Sequence, residues 1–149
     1  MNDPKLTLTT DAIADYVTRF RRPEFPAFEI SGLYDLSPDR PHSFATPPPH
    51  SWPAAYPFGW RAGVYLIFSE SLDLLYVGKA SMSSNIGSRL ATYFHYGEAR
   101  EMVLQHSGWS QPPRFFYAVA VPEQMPFEAP ALEEFLIGRL QPPDNSVGR

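Results

Sequence analysis

Seven prolines (Pro38, Pro41, Pro47, Pro48, Pro49, Pro53 and Pro57) fall within twenty residues of this 149-residue chain. Each removes a backbone donor and fixes φ, so neither a regular helix nor a central strand can run through them. Regular structure must come from the residues on either side. Phe44, Trp52, Tyr56, Phe58 and Trp60 are interleaved with these prolines or directly follow them. Aromatics at this frequency set the stretch apart from a disordered linker and predict an extended chain lying on an apolar surface. Upstream, Ile13, Tyr16, Val17 and Phe20 recur at helical spacing behind Thr9, Thr10 and Asp11 as N-cap candidates, with Pro23 as the stop. Arg19, Arg21 and Arg22 then complement the dipole at the helix C-terminus. Phe28-Glu29-Ile30 reads as a brief strand. Residues 1–58 are thus expected to be an N-terminal helix and a Pro/aromatic-rich extension packed on a domain spanning 59–149. Use of the Pro-rich segment as a ligand for another protein is the weaker reading.

Beyond residue 61 the pattern sharpens. Gly63-Val64-Tyr65-Leu66-Ile67-Phe68 and Leu74-Leu75-Tyr76-Val77-Gly78 are apolar runs joined by the polar Ser69-Glu70-Ser71-Leu72-Asp73, which predicts a β-hairpin. Ile86, Leu90, Tyr93 and Phe94 keep helical spacing, and Glu98 to His106 predicts a second short helix. Phe115 to Val121 is β-propensive throughout. Pro130 suits the first turn of a helix whose buried stripe is Leu132, Phe135, Leu136 and Leu140, and Pro142-Pro143 end it. The expectation is an α+β fold: a small central β-sheet in the order β-β-α-α-β-α, flanked by helices and preceded by the Pro-rich extension.

With 44% hydrophobic residues the chain can build one core, and its net charge of −4 argues against tight nucleic-acid binding by diffuse electrostatics. Any nucleic-acid contact must use a local patch, since residues 59–149 hold 7 Lys and Arg against 9 Asp and Glu. The absence of cysteine removes disulfides, thiolate nucleophiles and Cys-based zinc sites, and a reducing, cytoplasmic setting is the default. No signal peptide and no membrane-spanning run is evident. His42, His50, His95 and His106 lack paired metal spacing; His95, just past the Arg89 segment, is the one with a possible place near a site. Trp52, Trp60 and Trp109 are expected to be buried, with base stacking the lesser use.

Two tyrosines on adjacent strands can be a plain cross-strand pair. Gly78 and Lys79 after Tyr76 change the reading: the glycine permits close approach and the lysine leaves the strand as a cation, so an anion site becomes plausible. Arg89 and Tyr93, four apart on the expected helix, would face one phosphate together. Glu133 and Glu134 diverge by about 100° on a helix and cannot share one role.

These residues, taken in order, resemble the GIY-YIG nuclease superfamily, of the sort that supplies the first incision domain of bacterial nucleotide-excision repair. The resemblance runs from Gly63 to Asn145. It rests on Gly63-Val64-Tyr65, Tyr76-Val77-Gly78 with Lys79-Ala80, Arg89 with Tyr93-Phe94, and Glu133 with Leu136-Ile137, Pro142 and Asn145. It implies a DNA endonuclease in which Glu133 anchors one Mg²⁺ or Mn²⁺ and Glu134 is a bystander. Arg89, with Lys79 nearby, would stabilise the transition-state charge. Tyr93 would join Arg89 on phosphate. One of Tyr65 and Tyr76 would position or deprotonate the attacking water, with Tyr65 preferred. Gly78 and Asn145 would support the site from behind. DNA is the implied substrate, weakly held without help from a protein partner. A non-catalytic adaptor of the same shape, binding a protein, and an RNA nuclease are the rival expectations.

Overall fold

Every residue of the run Gly63–Ser69 is buried, and successive side chains enter two different cores. Val64, Leu66 and Phe68 join one; Tyr65 and Ile67 join the other. A strand covered on both faces explains why its sequence is continuously apolar rather than alternating. The computed structural model describes residues 3–145. Its elements are α1 (Pro4–Phe20), β1 (Glu29–Ile30), β2 (Tyr34–Asp35), β3 (His50–Ser51), β4 (Gly63–Ser69), β5 (Leu74–Ala80), α2 (Ile86–Ala91), β6 (Phe94–Tyr96), β7 (Met102–Leu104), β8 (Pro113–Ala120) and α3 (Glu128–Leu140).

The fold is α+β around a mixed six-stranded sheet ordered β3-β2-β8-β4-β5, with β1 also paired to β8. The β2–β3 pair is parallel and the other pairs are antiparallel. Helices α1 and α3 pack together over one face, where Leu6, Ile13, Leu132 and Leu136 meet Val64, Leu66 and Tyr117. The aromatic Pro-rich segment, α2 and the β6–β7 hairpin cover the other, where Trp52, Ile86, Leu90 and Phe94 meet Tyr65, Ile67 and Phe116. The aromatics of the Pro-rich segment also use their polar tips. Tyr56 Oη donates to the Phe94 carbonyl at 2.8 Å and Trp52 Nε1 to the Arg100 carbonyl at 2.7 Å.

Three local expectations are corrected. Helix α1 begins at Pro4, capped by the Asp3 carboxylate on Lys5 N–H at 2.8 Å, rather than behind Thr9–Asp11. Asp3-Pro4 is an N-cap followed by proline at the first helical position. Thr9 instead lies inside the helix, where its hydroxyl accepts from buried Tyr117 Oη at 2.7 Å. The helix expected over Glu98–His106 is absent: β6 and β7 form an antiparallel hairpin. Gly97 N–H bonds the Glu101 carbonyl at 2.8 Å, Arg100 adopts φ 61°, and Trp52 takes the Arg100 carbonyl, so a turn and a tertiary contact override local helix propensity. The downstream order is therefore β-β-α-β-β-β-α. Residues 29–51, assigned by sequence to the extension, also contribute β1, β2 and β3 to the same sheet as β4, β5 and β8.

What fastens this segment is Arg114 at the start of β8. Its guanidinium pairs with Asp35 through Nε and Nη2, both at 3.2 Å, and with Glu70 at 2.9 Å. It also donates to the carbonyls of Pro41 (2.6 Å), Arg40 (2.7 Å) and Ser37 (3.2 Å). The Arg114 and Asp35 side chains are 1% and 2% exposed, so every donor must be satisfied inside the protein, and the Pro-rich turn supplies the carbonyls. A second buried pair, Arg21 with Glu128 at 2.7 and 2.8 Å, ties the end of α1 to the start of α3. Arg114→Met leaves the Asp35 carboxylate unpaired in the interior, and its free energy of unfolding in urea is expected to fall by about 3–5 kcal/mol. Arg40→Met, at an exposed pair with Glu70, changes it by less than about 1 kcal/mol in the same measurement.

Candidate active site

Strand β5 is an edge of the sheet, and the candidate residues gather along it. Tyr65 lies opposite Gly78, and Tyr76 lies opposite Ile67, so the two tyrosines are diagonal rather than direct partners; their ring centroids are 6.4 Å apart. A Cβ at residue 78 would sit within the van der Waals envelope of the Tyr65 ring and hydroxyl. Glycine is what lets that ring cross the neighbouring strand. Lys79, opposite Val64, belongs to the helix-covered face.

Tyr93 completes the cluster by a route the sequence did not suggest. Helix α2 ends at Ala91, with Thr92 as its cap, so Tyr93 is not on a further turn above Arg89. It leads into the β6–β7 hairpin, where its carbonyl accepts from Gln105 N–H at 2.9 Å. Its phenol nevertheless links the other two: Tyr65 Oη donates to Tyr93 Oη at 3.3 Å, and Tyr93 Oη to Tyr76 Oη at 3.3 Å. Arg89, from the last turn of α2, directs its charge at all three phenols, most strongly at Tyr65. Burial pushes the Tyr65 and Tyr76 phenols well above the ordinary value near 10, the neighbouring Tyr93 phenol adds to this, and the Arg89 charge opposes it only weakly. Both phenols are therefore protonated at neutral pH. The Arg89 guanidinium is raised in turn, chiefly by Tyr65, and is a full cation at neutral pH.

Glu133 approaches from α3, half-buried, whereas Glu134 is exposed. Burial raises the Glu133 carboxyl above its usual value, and Lys79 and Arg89 draw it back down, which places both cations within electrostatic reach. Asn145 backs the site: its carboxamide accepts from Val77 N–H at 2.8 Å and donates to Val77 C=O at 2.9 Å, between Tyr76 and Gly78. Asp144 N–H bonds the Leu75 carbonyl at 2.9 Å on the same strand.

No cluster of three or more His, Cys, Asp or Glu side chains forms a metal cage among the described residues. Glu133 is a single carboxylate with no hydrogen-bond or ion-pair partner among the described residues. One such oxygen donor fits a hard Mg²⁺ or Mn²⁺ that keeps much of its water, and does not fit zinc. The phenols of Tyr65, Tyr76 and Tyr93 thus meet beside Arg89 on one face of the sheet, Glu133 lies within electrostatic reach of Tyr76, Arg89 and Lys79, and Lys79 stands on the other face of β5.

Sequence reading missed Trp109 and His106. The Trp109 ring stands edge-on to Tyr76 and Tyr93, at 6.1 and 5.9 Å, and His106 lies 5.4 Å from Tyr93. Trp109 sits in the aperiodic Ser107–Pro112 stretch, which carries no helical or strand signal, and His106 ends the segment expected to be helical, so neither had a pattern that placed it near the tyrosines. His95, the histidine expected nearer the site, is exposed on β6 opposite Val103. Trp52 is buried as expected, but Trp60 is 92% exposed. No protein-family model, curated protein or solved structure matches the chain.

Gly78→Ala overpacks Tyr65 and is expected to lower stability to urea by about 1–3 kcal/mol. The raised phenol values set a second expectation. The folded chain retains phenolic protons that the unfolded chain loses near pH 10, so this contribution is full below that pH and is lost as pH rises through the folded values. Urea midpoints are expected to decline above about pH 10, less steeply in Tyr65→Phe.

Proposed function

We propose that this chain is a metal-dependent endonuclease that hydrolyses DNA phosphodiester bonds at the β5 edge. The observation that carries the reading is the meeting of a guanidinium, a chain of three hydrogen-bonded phenols and a lone half-buried carboxylate. Cation, oriented donors and a hard-metal anchor are what phosphoryl hydrolysis requires, because its difficulty is the charge that builds on phosphorus oxygens. Glu133 would hold one Mg²⁺ or Mn²⁺, which when bound supplies Lewis-acid polarisation of a phosphate oxygen and acidifies water.

The chain's own groups would do the rest. Arg89 would bind the scissile phosphate and offset the negative charge added as water attacks, with Lys79 contributing from the far side of the strand. Phenols kept protonated by burial serve as hydrogen-bond donors, so orienting water or phosphate is the favoured role, rather than removing a proton. Tyr76 is half-buried and Tyr65 fully buried, which gives Tyr76 the contact with substrate or water and makes Tyr65 the group that positions Tyr93 and Arg89. Asn145 fixes the backbone from which Tyr76 projects. The acidic balance of the chain makes weak binding of DNA the expectation, with a protein partner or high local substrate concentration needed for efficient cleavage.

Exposed Trp60 and Phe127 favour a second reading, a protein-binding adaptor that retains the shape without the chemistry. RNA is the alternative substrate for the same residues. The deciding experiment is nicking of supercoiled plasmid with Mg²⁺, Mn²⁺ or EDTA. Metal-dependent relaxation is expected, reduced about 100-fold or more by Glu133→Ala and by Arg89→Ala. Activity surviving Glu133→Ala, or none with any metal on duplex, single-stranded or branched DNA, rejects the reading. Competition with RNA separates the two nucleic acids.

A further inference from the structure

The three tryptophans give their indole N–H groups three different environments. Trp52 Nε1 donates to the Arg100 carbonyl at 2.7 Å, and Trp60 is 92% exposed to water. Among the described residues Trp109 Nε1 is buried with no acceptor, and so is Arg89 Nε. Unmet buried donors are rare, because each forgoes its hydration without compensation. Of the three side-chain donors of this kind, the third being Arg61 Nε, these two belong to side chains gathered around the same phenols: Trp109 packs T-shaped against Tyr76 and Tyr93, and Arg89 acts electrostatically on Tyr65, Tyr93 and Tyr76.

The placement of Trp109 is built rather than incidental. Ser110, the next residue, donates to the Asp144 carboxylate through N–H at 3.1 and 3.2 Å and through its hydroxyl at 3.0 Å. Gln111 donates to Asp73 at 3.2 Å. Asp144 and Asn145 are in turn bonded to Leu75 and Val77 of β5. The loop carrying Trp109 is therefore fastened to the strand that carries Tyr76, while its indole donor is left without a partner.

We infer that Trp109 is a substrate-binding residue, whose indole N–H joins Arg89 Nε–H as a donor pair for the phosphate of the substrate. The inference rests on the phosphodiester reading above and adds a neutral donor to its cationic one. A neutral N–H beside a guanidinium suits a monoanionic phosphodiester, since it adds a hydrogen bond without further charge to desolvate. The aromatic ring closes the site on the side of the Gln105–Pro112 loop.

The test uses inorganic phosphate as the probe and ¹⁵N-labelled intact protein without metal or DNA, with chloride at matched ionic strength as the control. Three indole N–H resonances are expected, assigned with Trp60→Phe and Trp109→Phe. Phosphate should move the Trp109 resonance downfield and saturably, leave those of Trp52 and Trp60 in place, and lose this effect in Arg89→Ala and in Arg89→Lys, which keeps the charge but lacks Nε. A Trp109 resonance that phosphate does not move assigns its N–H to the face of the Tyr76 or Tyr93 ring and overturns the inference, as does a shift that survives both Arg89 variants. Because no turnover is involved, failure here is separate from failure in the nicking assay.

Discussion

Arg114 is the fastening on which the arrangement of this protein depends. One guanidinium, sealed from solvent, neutralises Asp35, reaches Glu70 and binds three carbonyls of the turn that opens the Pro-rich stretch. The turn Ser37–Arg40 closes its own bond, Arg40 N–H to the Ser37 carbonyl at 3.0 Å, and Arg114 satisfies the carbonyls of Arg40 and Pro41 and adds a second bond to that of Ser37. With the turn held, the aromatic segment is laid across the second face of the sheet. Tyr65 is then roofed, its phenol is kept protonated, and the strand that carries it can be apolar on both sides. The charged clamp near one end of β8 thus lies one strand from the Tyr65 phenol.

Legibility in the sequence followed the range of the forces involved. The β4–β5 hairpin and α3 were readable because hydrophobic periodicity and proline stops act over a few residues. The meeting of Tyr65, Tyr76, Arg89 and Glu133 was legible only through the ordered motif they form. Tyr93 was placed near them for a reason that does not hold: α2 stops short of it, and the hairpin returns it to the cluster. The hairpin itself was hidden because Gly97 and Arg100 make its turn in concert with Trp52, some forty-five residues earlier in the chain. The place of Trp109 beside Tyr76 and Tyr93 was hidden for the same kind of cause. Its position is fixed by Ser110 on Asp144, a contact between segments that share no local pattern.

The electrostatics of the site are local in a chain that is acidic as a whole. Arg89 faces the phenols as a full cation, and Glu133 is only half in solvent, its ionised form favoured by Lys79 and Arg89. Burial works in the same sense on the two kinds of group, disfavouring the anion of each. It keeps the Tyr65 and Tyr76 phenols protonated, and it leaves the carboxylate short of hydration, which under the proposed function a hard cation with its own water would restore. Under the proposed function such an arrangement relies on local charge and gains none of the long-range steering that a broad basic surface gives.

Asn145 has a consequence for company as well as for support. Its carboxamide presents to Val77 one donor and one acceptor, the same pair that a peptide unit of a neighbouring strand would offer. A single side chain thereby stands in for a further strand beside β5 and terminates the ladder there. A sheet edge ordinarily invites another chain to zip onto it, whether a ligand peptide or a second copy in an aggregate. At Val77 that invitation is already answered, so the rim beside the tyrosines is closed to strand-on-strand recruitment and left open to ligands of other shapes.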